Sequence, residues 1–463
     1  MKTKVIRKPQ LYLFLFIILS LSTLSQSLTQ SNIVKTLPGY PGDLPFTLET
    51  GYVGVGESEK VQLFYYFIES EGYVESDPLI LWLTGGPGCS ALSGLFFEIG
   101  PIAFNLTSSD AESGTHKLQD NPYSWTKVAS IIFLDSPVGT GFSYATTSEA
   151  YNTSDTLQSA HTNDFLREWL IKHPKFINSR LYVAGDSYAG MIVPIVVQDI
   201  LQGNEIGLTP RLNLKGYVLG NPVADVYKSN KAKYKYAHTI SLLSDELYKS
   251  ALISCNGEFL FYVDAMNTKC SKNVEAIKQD ISTISEAHVL EHRCLYVSPK
   301  PIKKQMSMLA KPEFCRAQHY MFLYSWANDE QVREALHIKE GSIGYWNRCN
   351  KSLAYEYTIF NSFDYHLNNS RHSLQVLIYS GDQDISVPYM STLEWINELN
   401  IPISEEWRPW FVDGQVAGYA TEFTRLPYRI VHSTIKGGGH TAPEYKPREC
   451  LAMLDRWLSL SPL

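Results

Sequence analysis

Short apolar runs bounded by turn formers punctuate the chain: Val61 to Ile68, Leu79 to Leu83, Ile131 to Leu134, Leu181 to Ala184, Tyr217 to Leu219, Leu374 to Tyr379 and Ile430 to Ile435. They are rich in β-branched and aromatic residues, which predicts buried strands. Stretches with helical spacing lie between some of them, at Thr162 to Ile171 and Gly190 to Leu201. Strands that are apolar on both faces and alternate with helices predict an α/β fold, its mostly parallel central sheet covered on both sides. The stretch 222–345 breaks this pattern. It has helical spacing at Ser244 to Leu252, Val274 to Ser285 and Glu330 to Ile338, and no run that reads as a buried strand. It predicts a helical cap inserted over the sheet. Within it, Ser298 to Lys311 carries Lys300, Lys303, Lys304 and Lys311 among prolines, which reads as an exposed basic loop.

Residues 1–27 read as a secretory signal peptide. Lys2, Lys4, Arg7 and Lys8 form a basic start, Leu11 to Leu24 is almost unbroken apolar, and small or polar residues follow. The apolar run is short for a bilayer span of about 20 residues, although a retained signal anchor is the alternative. No later segment is long and apolar enough to span, so no stable membrane insertion is expected once the signal is removed. Residues 28–463 are then one α/β domain with 222–345 as its insertion, bound for the vacuole or the cell exterior.

Composition narrows the function classes. Hydrophobic residues at 44% and charged residues at 19% exclude disorder or a coiled coil as a whole-chain reading. The 47 acidic residues against 40 basic give a formal charge of −7, without the electrostatic footprint that nucleic acid needs. The seven cysteines contain no C-x-x-C pair, which argues against a zinc ribbon or a thioredoxin-type site. Their odd number leaves at least one thiol unpaired or paired outside the chain. Sequons begin at Asn105, Asn152, Asn350 and Asn368, and an exported chain could carry glycans there.

The sharpest chemical motif is Gly185-Asp186-Ser187-Tyr188-Ala189-Gly190, between the strand Leu181 to Ala184 and an apolar helix. A nucleophile elbow needs such a strand-to-helix turn flanked by small residues, and the helix start helps hold negative charge. Here Ala189 stands where the G-x-S-x-G form has its last glycine. Such hydrolases run Ser, then acid, then His. Ser380-Gly381-Asp382-Gln383-Asp384 follows the strand Leu374 to Tyr379, and Gly437-Gly438-Gly439-His440 follows Ile430 to Ile435. His440 would act as general base and then acid, with Asp384 holding its tautomer and Asp382 as the rival. Thr84-Gly85-Gly86-Pro87-Gly88-Cys89-Ser90 after Leu83 supplies backbone N–H groups for an oxyanion hole, assigned to Gly86 and Tyr188. A phosphate loop is the competing reading, but its Gly-Lys-Ser/Thr ending is absent. Cys89 as nucleophile lacks a placed base. This chemistry asks for neither a cofactor nor a metal.

Leu81 to Ser90, Gly185 to Gly190, Gly381 to Pro388 and Gly438 to Glu444 together resemble the serine carboxypeptidase family of α/β-hydrolases. Asn121 to Trp125, Asp135 to Tyr144 and Gly220-Asn221-Pro222 extend the likeness from about residue 37 to the end of the chain. The resemblance implies the triad Ser187, Asp384 and His440. It implies disulfides Cys89–Cys349, Cys255–Cys270 and Cys294–Cys315, with Cys450 left over, and it places the basic loop where some members are cut. Candidate substrate-binding residues are Thr84, Gly85 and Asp186. The family's carboxypeptidases have Asn and Glu at positions 84 and 186, where they grip the substrate carboxylate. Thr lacks the two amide donors of Asn, and Asp is one methylene short of Glu. The Thr84 and Asp186 forms are similar to the plant serine carboxypeptidase-like acyltransferases, which pass an acyl group from a 1-O-β-glucose ester to an alcohol or amine. The expected partners are therefore a small-molecule acyl donor and acceptor. The alternatives are a serine carboxypeptidase and a catalytically weak binding protein, against which the complete triad argues.

Overall fold

The structure, a computed structural model, describes residues 32–105, 117–257, 266–294 and 315–463. The signal-peptide stretch and the basic loop Ser298 to Lys311 lie outside the described residues. The principal strands are β1 (Ile33–Val34), β2 (Leu48–Val55), β3 (Val61–Ile68), β4 (Leu79–Leu83), β5 (Ser130–Leu134), β6 (Leu181–Asp186), β7 (Leu214–Gly220), β8 (Gln375–Gly381), β9 (Ile403–Val412), β10 (Gln415–Arg425) and β11 (Tyr428–Ile435). They form one sheet in the order β1-β2-β3-β5-β4-β6-β7-β8-β11-β10-β9, and Tyr144–Ala145 pairs with β3 as its twelfth strand. From β5 to β11 the strands are parallel, and antiparallel hairpins flank them on both sides. This is the mixed, centrally parallel sheet of an α/β-hydrolase fold.

The period of two along each central strand explains why both faces are dry. Ile80 and Trp82 of β4, with Tyr182 and Ala184 of β6, face one apolar cluster. Leu79, Leu81, Leu83, Leu181 and Val183 face another. Helices α1 (Asp155–Lys172), α2 (Ala189–Glu205) and a helix at Tyr389–Glu398 cover the second face. The C-terminal helix Pro447–Leu458 seals the first with Met453, Leu454 and Trp457. Alternating burial at a strand and helix spacing is what the hydrophobic effect rewards here.

The stretch 222–345 divides in two. Tyr236, Leu243, Ala251, Val274, Ile277 and Val289 form a small cluster of their own that reaches Ile385. Leu323, Trp326, Val332 and Leu336 instead join the core of the main sheet. The helical spacing read over Val274 to Ser285 also ends early. The helix there is Thr268–Asp280, and Ile284–Ser285 pairs with His288–His292 in a short hairpin.

Candidate active site

Three strand ends and one turn build the site. Ser187 directly follows β6 and precedes α2, at a φ of +57°. A left-handed serine costs about 1–3 kcal/mol and persists only when its surroundings fix it. Here the Ser187 N–H donates to the Gly220 carbonyl (2.9 Å), and the Ser187 carbonyl accepts from Gly190 (3.0 Å) and Val223 (2.9 Å). The side chain is thereby held off the end of the sheet, over the start of α2.

Asp384 lies just past β8 and is fully buried. Its Oδ2 accepts from Asn221 Nδ2 (2.8 Å) and the Val387 N–H (3.2 Å), and its Oδ1 from the Ser386 N–H (2.7 Å). His440 follows β11 after three glycines. Its Nδ1 is 2.8 Å from Asp384 Oδ2 and its Nε2 is 2.8 Å from Ser187 Oγ. A carboxylate with three donors of its own accepts from Nδ1–H, which leaves Nε2 as the acceptor for the serine proton. Burial opposes the imidazolium, but the charge and hydrogen bond of Asp384, with the charge of Asp186, outweigh it and raise the His440 pKa. Asp382, the rival acid, turns away. Its Oδ1 accepts from the Gly437 N–H (2.7 Å) and from Gln383 (3.0 Å), tying the acid loop to the histidine loop.

The glycine-rich loop lies against this turn. A side chain at Gly85 would sit 2.7 Å from both the Asp186 carbonyl oxygen and Ser187 Cβ, and 2.9 Å from the Tyr188 nitrogen, so only glycine permits the approach. The Gly85 N–H donates to Asp186 Oδ1 (3.1 Å). Thr84 Oγ1 accepts from the Trp82 indole N–H (3.2 Å). Gly86 is exposed beside them. The Tyr188 hydroxyl donates to Asp155 Oδ1 (2.6 Å), which also receives Tyr355 (2.8 Å). Downstream, Asp135 accepts from the Ser90 hydroxyl (2.7 Å) and from the Ala91 (2.8 Å) and Phe142 (2.9 Å) N–H groups. Burial pushes the Asp135 pKa up to about 6 against those hydrogen bonds.

Several of these groups had escaped the reading of the sequence. Asn221 stood in a noted Gly-Asn-Pro stretch, but nothing local marks it as the donor to an acid 163 residues away. Glu98 had a signal, a lone carboxylate in the apolar run Leu95 to Ile99. It is 4% exposed, and one of its oxygens has no hydrogen-bond partner among the described residues. Burial raises the Glu98 pKa well above the usual range, as do the charges of Asp186 and Glu444, with Arg348 opposing. Burial likewise raises that of Asp186, opposed by His440 and the Gly85 N–H.

Such a turn, acid and histidine can serve several acyl-transfer chemistries. The family model for serine carboxypeptidases matches residues 38–460. The chain belongs to the serine carboxypeptidase family. Serine carboxypeptidase-like 9 and serine carboxypeptidase-like 19 of Arabidopsis thaliana are each 46% identical to this member, over 97% of this chain and 99% of theirs. The Saccharomyces cerevisiae prohormone-processing carboxypeptidase Kex1 superposes with a TM-score of 0.72 at 19% identity, covering 93% of this serine carboxypeptidase-like chain and 96% of its own. The three disulfides form as the resemblance implied, Cys89–Cys349, Cys255–Cys270 and Cys294–Cys315, and Cys450 is a buried free thiol. Of the sequon asparagines, Asn152 is exposed while Asn105, Asn350 and Asn368 are half-buried, and Asn350 Nδ2 donates to the Gly139 carbonyl (2.9 Å). No helix among the described residues is long and apolar enough to cross a membrane.

Proposed function

We propose that this family member is an acyltransferase that moves an acyl group from a 1-O-β-glucose ester to an alcohol or amine. Ser187 attacks the ester carbonyl while His440 Nε2 takes its proton. The Gly86 and Tyr188 N–H groups receive the developing oxyanion. Glucose leaves with the proton from His440, and Asp384 stabilises the imidazolium in between. The acceptor then gives its proton to His440 and attacks the acyl-Ser187 carbonyl; the acyl–Oγ bond breaks, His440 returns the proton to Ser187 Oγ, and the new ester or amide leaves. An acceptor held in place competes with concentrated water because positioning is worth a large effective concentration.

The observation that carries this reading is how Thr84 and Asp186 are spent. Thr84 has one hydroxyl, whose oxygen already accepts from Trp82, and Asp186 already accepts from Gly85. Neither offers the paired amide donors that would grip a free carboxylate, and a mispaired carboxylate is rejected strongly. Neutral sugar hydroxyls, which donate as well as accept, suit such groups. The cap assigned to 222–345, export by residues 1–27 to vacuole or cell exterior, and glycans on the four sequons belong to the same reading, and the three disulfides fit it.

The test offers purified protein acylglucose mixtures with alcohol or amine acceptors, and blocked dipeptides separately. The unmodified protein should consume glucose esters in an acceptor-dependent way, with slow hydrolysis beside it. Thr84→Asn with Asp186→Glu should raise dipeptide cleavage and weaken transfer. Efficient dipeptide cleavage by the unmodified protein, with every glucose ester ignored, would establish the carboxypeptidase reading instead.

A further inference from the structure

The hairpin Ile284–His292 sits between the two loops that carry His440 and Asp384. The Glu286 carbonyl accepts from the N–H groups of Ile385 (3.1 Å) and Ser386 (3.0 Å), and the Val289 N–H donates to the Gln383 carbonyl (3.0 Å). Those contacts flank Asp384 on both sides. One residue along the hairpin, the Ala287 carbonyl accepts the His440 N–H itself (2.7 Å). The tip of the hairpin therefore bonds the backbone of both loops.

His288 fixes that tip. It is 8% exposed, and its ring stacks on Tyr445 with centroids 4.7 Å apart and planes 21° from parallel. Its Nε2 lies 3.3 Å from the Gly437 carbonyl, and a carbonyl only accepts, so Nε2 carries the proton. Tyr445 in turn lies against Gly439, where a Cβ would be 2.7 Å from the tyrosine ring and 2.5 Å from the Ala287 oxygen. His288 thus touches the histidine loop at Gly437 and, through Tyr445, backs it at Gly439. Its hydrogen bond goes to Gly437 and its ring contact to Tyr445, not to Ser187 or the ring of His440.

We propose that His288 is a positioning residue for the acyl-transfer step: it locks the hairpin so that the Ala287 and Glu286 carbonyls hold His440 and Asp384 in register with Ser187. This rests on Ser187, His440 and Asp384 being the reacting groups, and holds whether the acyl-enzyme passes to water or to another acceptor. Near-attack geometry is steep, since a displacement of about 1 Å can cost about 100-fold in rate. A loosened tip should therefore slow the reaction of Ser187 without weakening initial binding.

The test is inactivation by a fluorophosphonate, which reads the activation of Ser187 without knowledge of the natural substrate. The full-length protein, His288→Ala and His288→Phe are compared for the limiting inactivation rate, the half-saturating probe concentration and the melting midpoint. We expect His288→Ala to lower the limiting rate about 10- to 100-fold at unchanged half-saturation, with the protein folded. His288→Phe keeps the stack on Tyr445 and should recover to within about threefold of the wild type. If His288→Ala does not fold, His288→Leu, which fills the space without a stacking ring or a donor, is judged by the same criterion. A folded Ala or Leu variant labelled as fast as the wild type, or a Phe variant no better than Ala, overturns the proposal alone. A wild type that is not labelled at Ser187 overturns the triad reading, and this proposal with it.

Discussion

Replacing Asp384 with asparagine isolates one term of the chemistry, because the geometry dictates how the amide must sit. Oδ2 of Asp384 faces three donors, His440 Nδ1, Asn221 Nδ2 and the Val387 N–H, whereas Oδ1 faces one, the Ser386 N–H. An asparagine placing its carbonyl at the Oδ2 position keeps three bonds and opposes one donor; the flipped amide opposes three. The first arrangement preserves the position and tautomer of His440 and removes only the negative charge. That charge acts when His440 becomes an imidazolium in the transition state. At an effective dielectric near 20, two unit charges about 4 Å apart attract by about 4 kcal/mol, which at 1.36 kcal/mol per decade is about a 10³-fold loss in rate. The opposed Ser386 N–H costs a further 1–3 kcal/mol, roughly, in stability. The assay is the limiting rate of fluorophosphonate inactivation against pH, beside a thermal melt. The base must be neutral to act, so wild-type activity should be lost as pH falls through a value above the ordinary histidine pKa of about 6.5. The variant, lacking the charge that raises His440, should be about 10³-fold slower with its acid limb moved to lower pH. A folded variant within about tenfold of the wild type, or a limb that stays where it was, would refute the reasoning.

Other outcomes follow from the same contacts. Glu98 and Asp186 both have raised folded pKa values, so their contribution to stability is complete below the unfolded carboxyl pKa of about 4 and is lost as pH rises through the raised values. The melting midpoint should therefore fall as pH rises above the unfolded carboxyl pKa of about 4, and Glu98→Gln should flatten that fall. Gly85→Ala forces the glycine-rich loop off the Tyr188 nitrogen and should lower the acylation rate about 10²- to 10³-fold, as loss of one oxyanion donor does, with little change in probe binding. Asp135→Ala strands the Ser90, Ala91 and Phe142 donors in a dry site and should destabilise by at least about 3 kcal/mol in a urea titration. Removing Cys89–Cys349, a closure across 260 residues, should cost about 5.6 kcal/mol in the chain-entropy model, against about 3 for Cys255–Cys270, which spans 15 residues.

The central strands were legible because burial on both faces leaves a short unbroken apolar run bounded by turn formers, as in Leu79–Leu83, whereas the equally apolar start of α2 continues at helical length. The hairpin β9–β10 was not. Its edge strand Ile403–Val412 is largely exposed and spells charge and proline, Glu405, Glu406, Arg408 and Pro409, residues that blunt a sheet edge and mask a strand from hydropathy. The residues that converge at Ser187 were legible because each follows a strand in the order such hydrolases use. Asp384 was preferred to its rival Asp382 already in the sequence, through the resemblance, and the loop supplies the physical reason: Asp384 meets His440 whereas Asp382 turns to Gly437. The supports of the site were the least visible. Asn221 acts across 163 residues, and Glu286 and Ala287 act through carbonyl oxygens that every residue possesses.

The separation of the reacting groups along the chain also has a biosynthetic consequence. Ser187 and His440 lie 253 residues apart. At about 5–20 residues per second of synthesis, the nucleophile waits roughly 10–50 s for its base. On the proposed mechanism, a nascent chain that still lacks His440 has no base for Ser187. Cys89 waits longer still for Cys349, and Cys255, Cys270, Cys294 and Cys315 all emerge before that partner does. If Cys89 oxidises before Cys349 emerges it does so with another thiol, and the loop beside Ser187 then reaches the Cys89–Cys349 form through thiol–disulfide exchange.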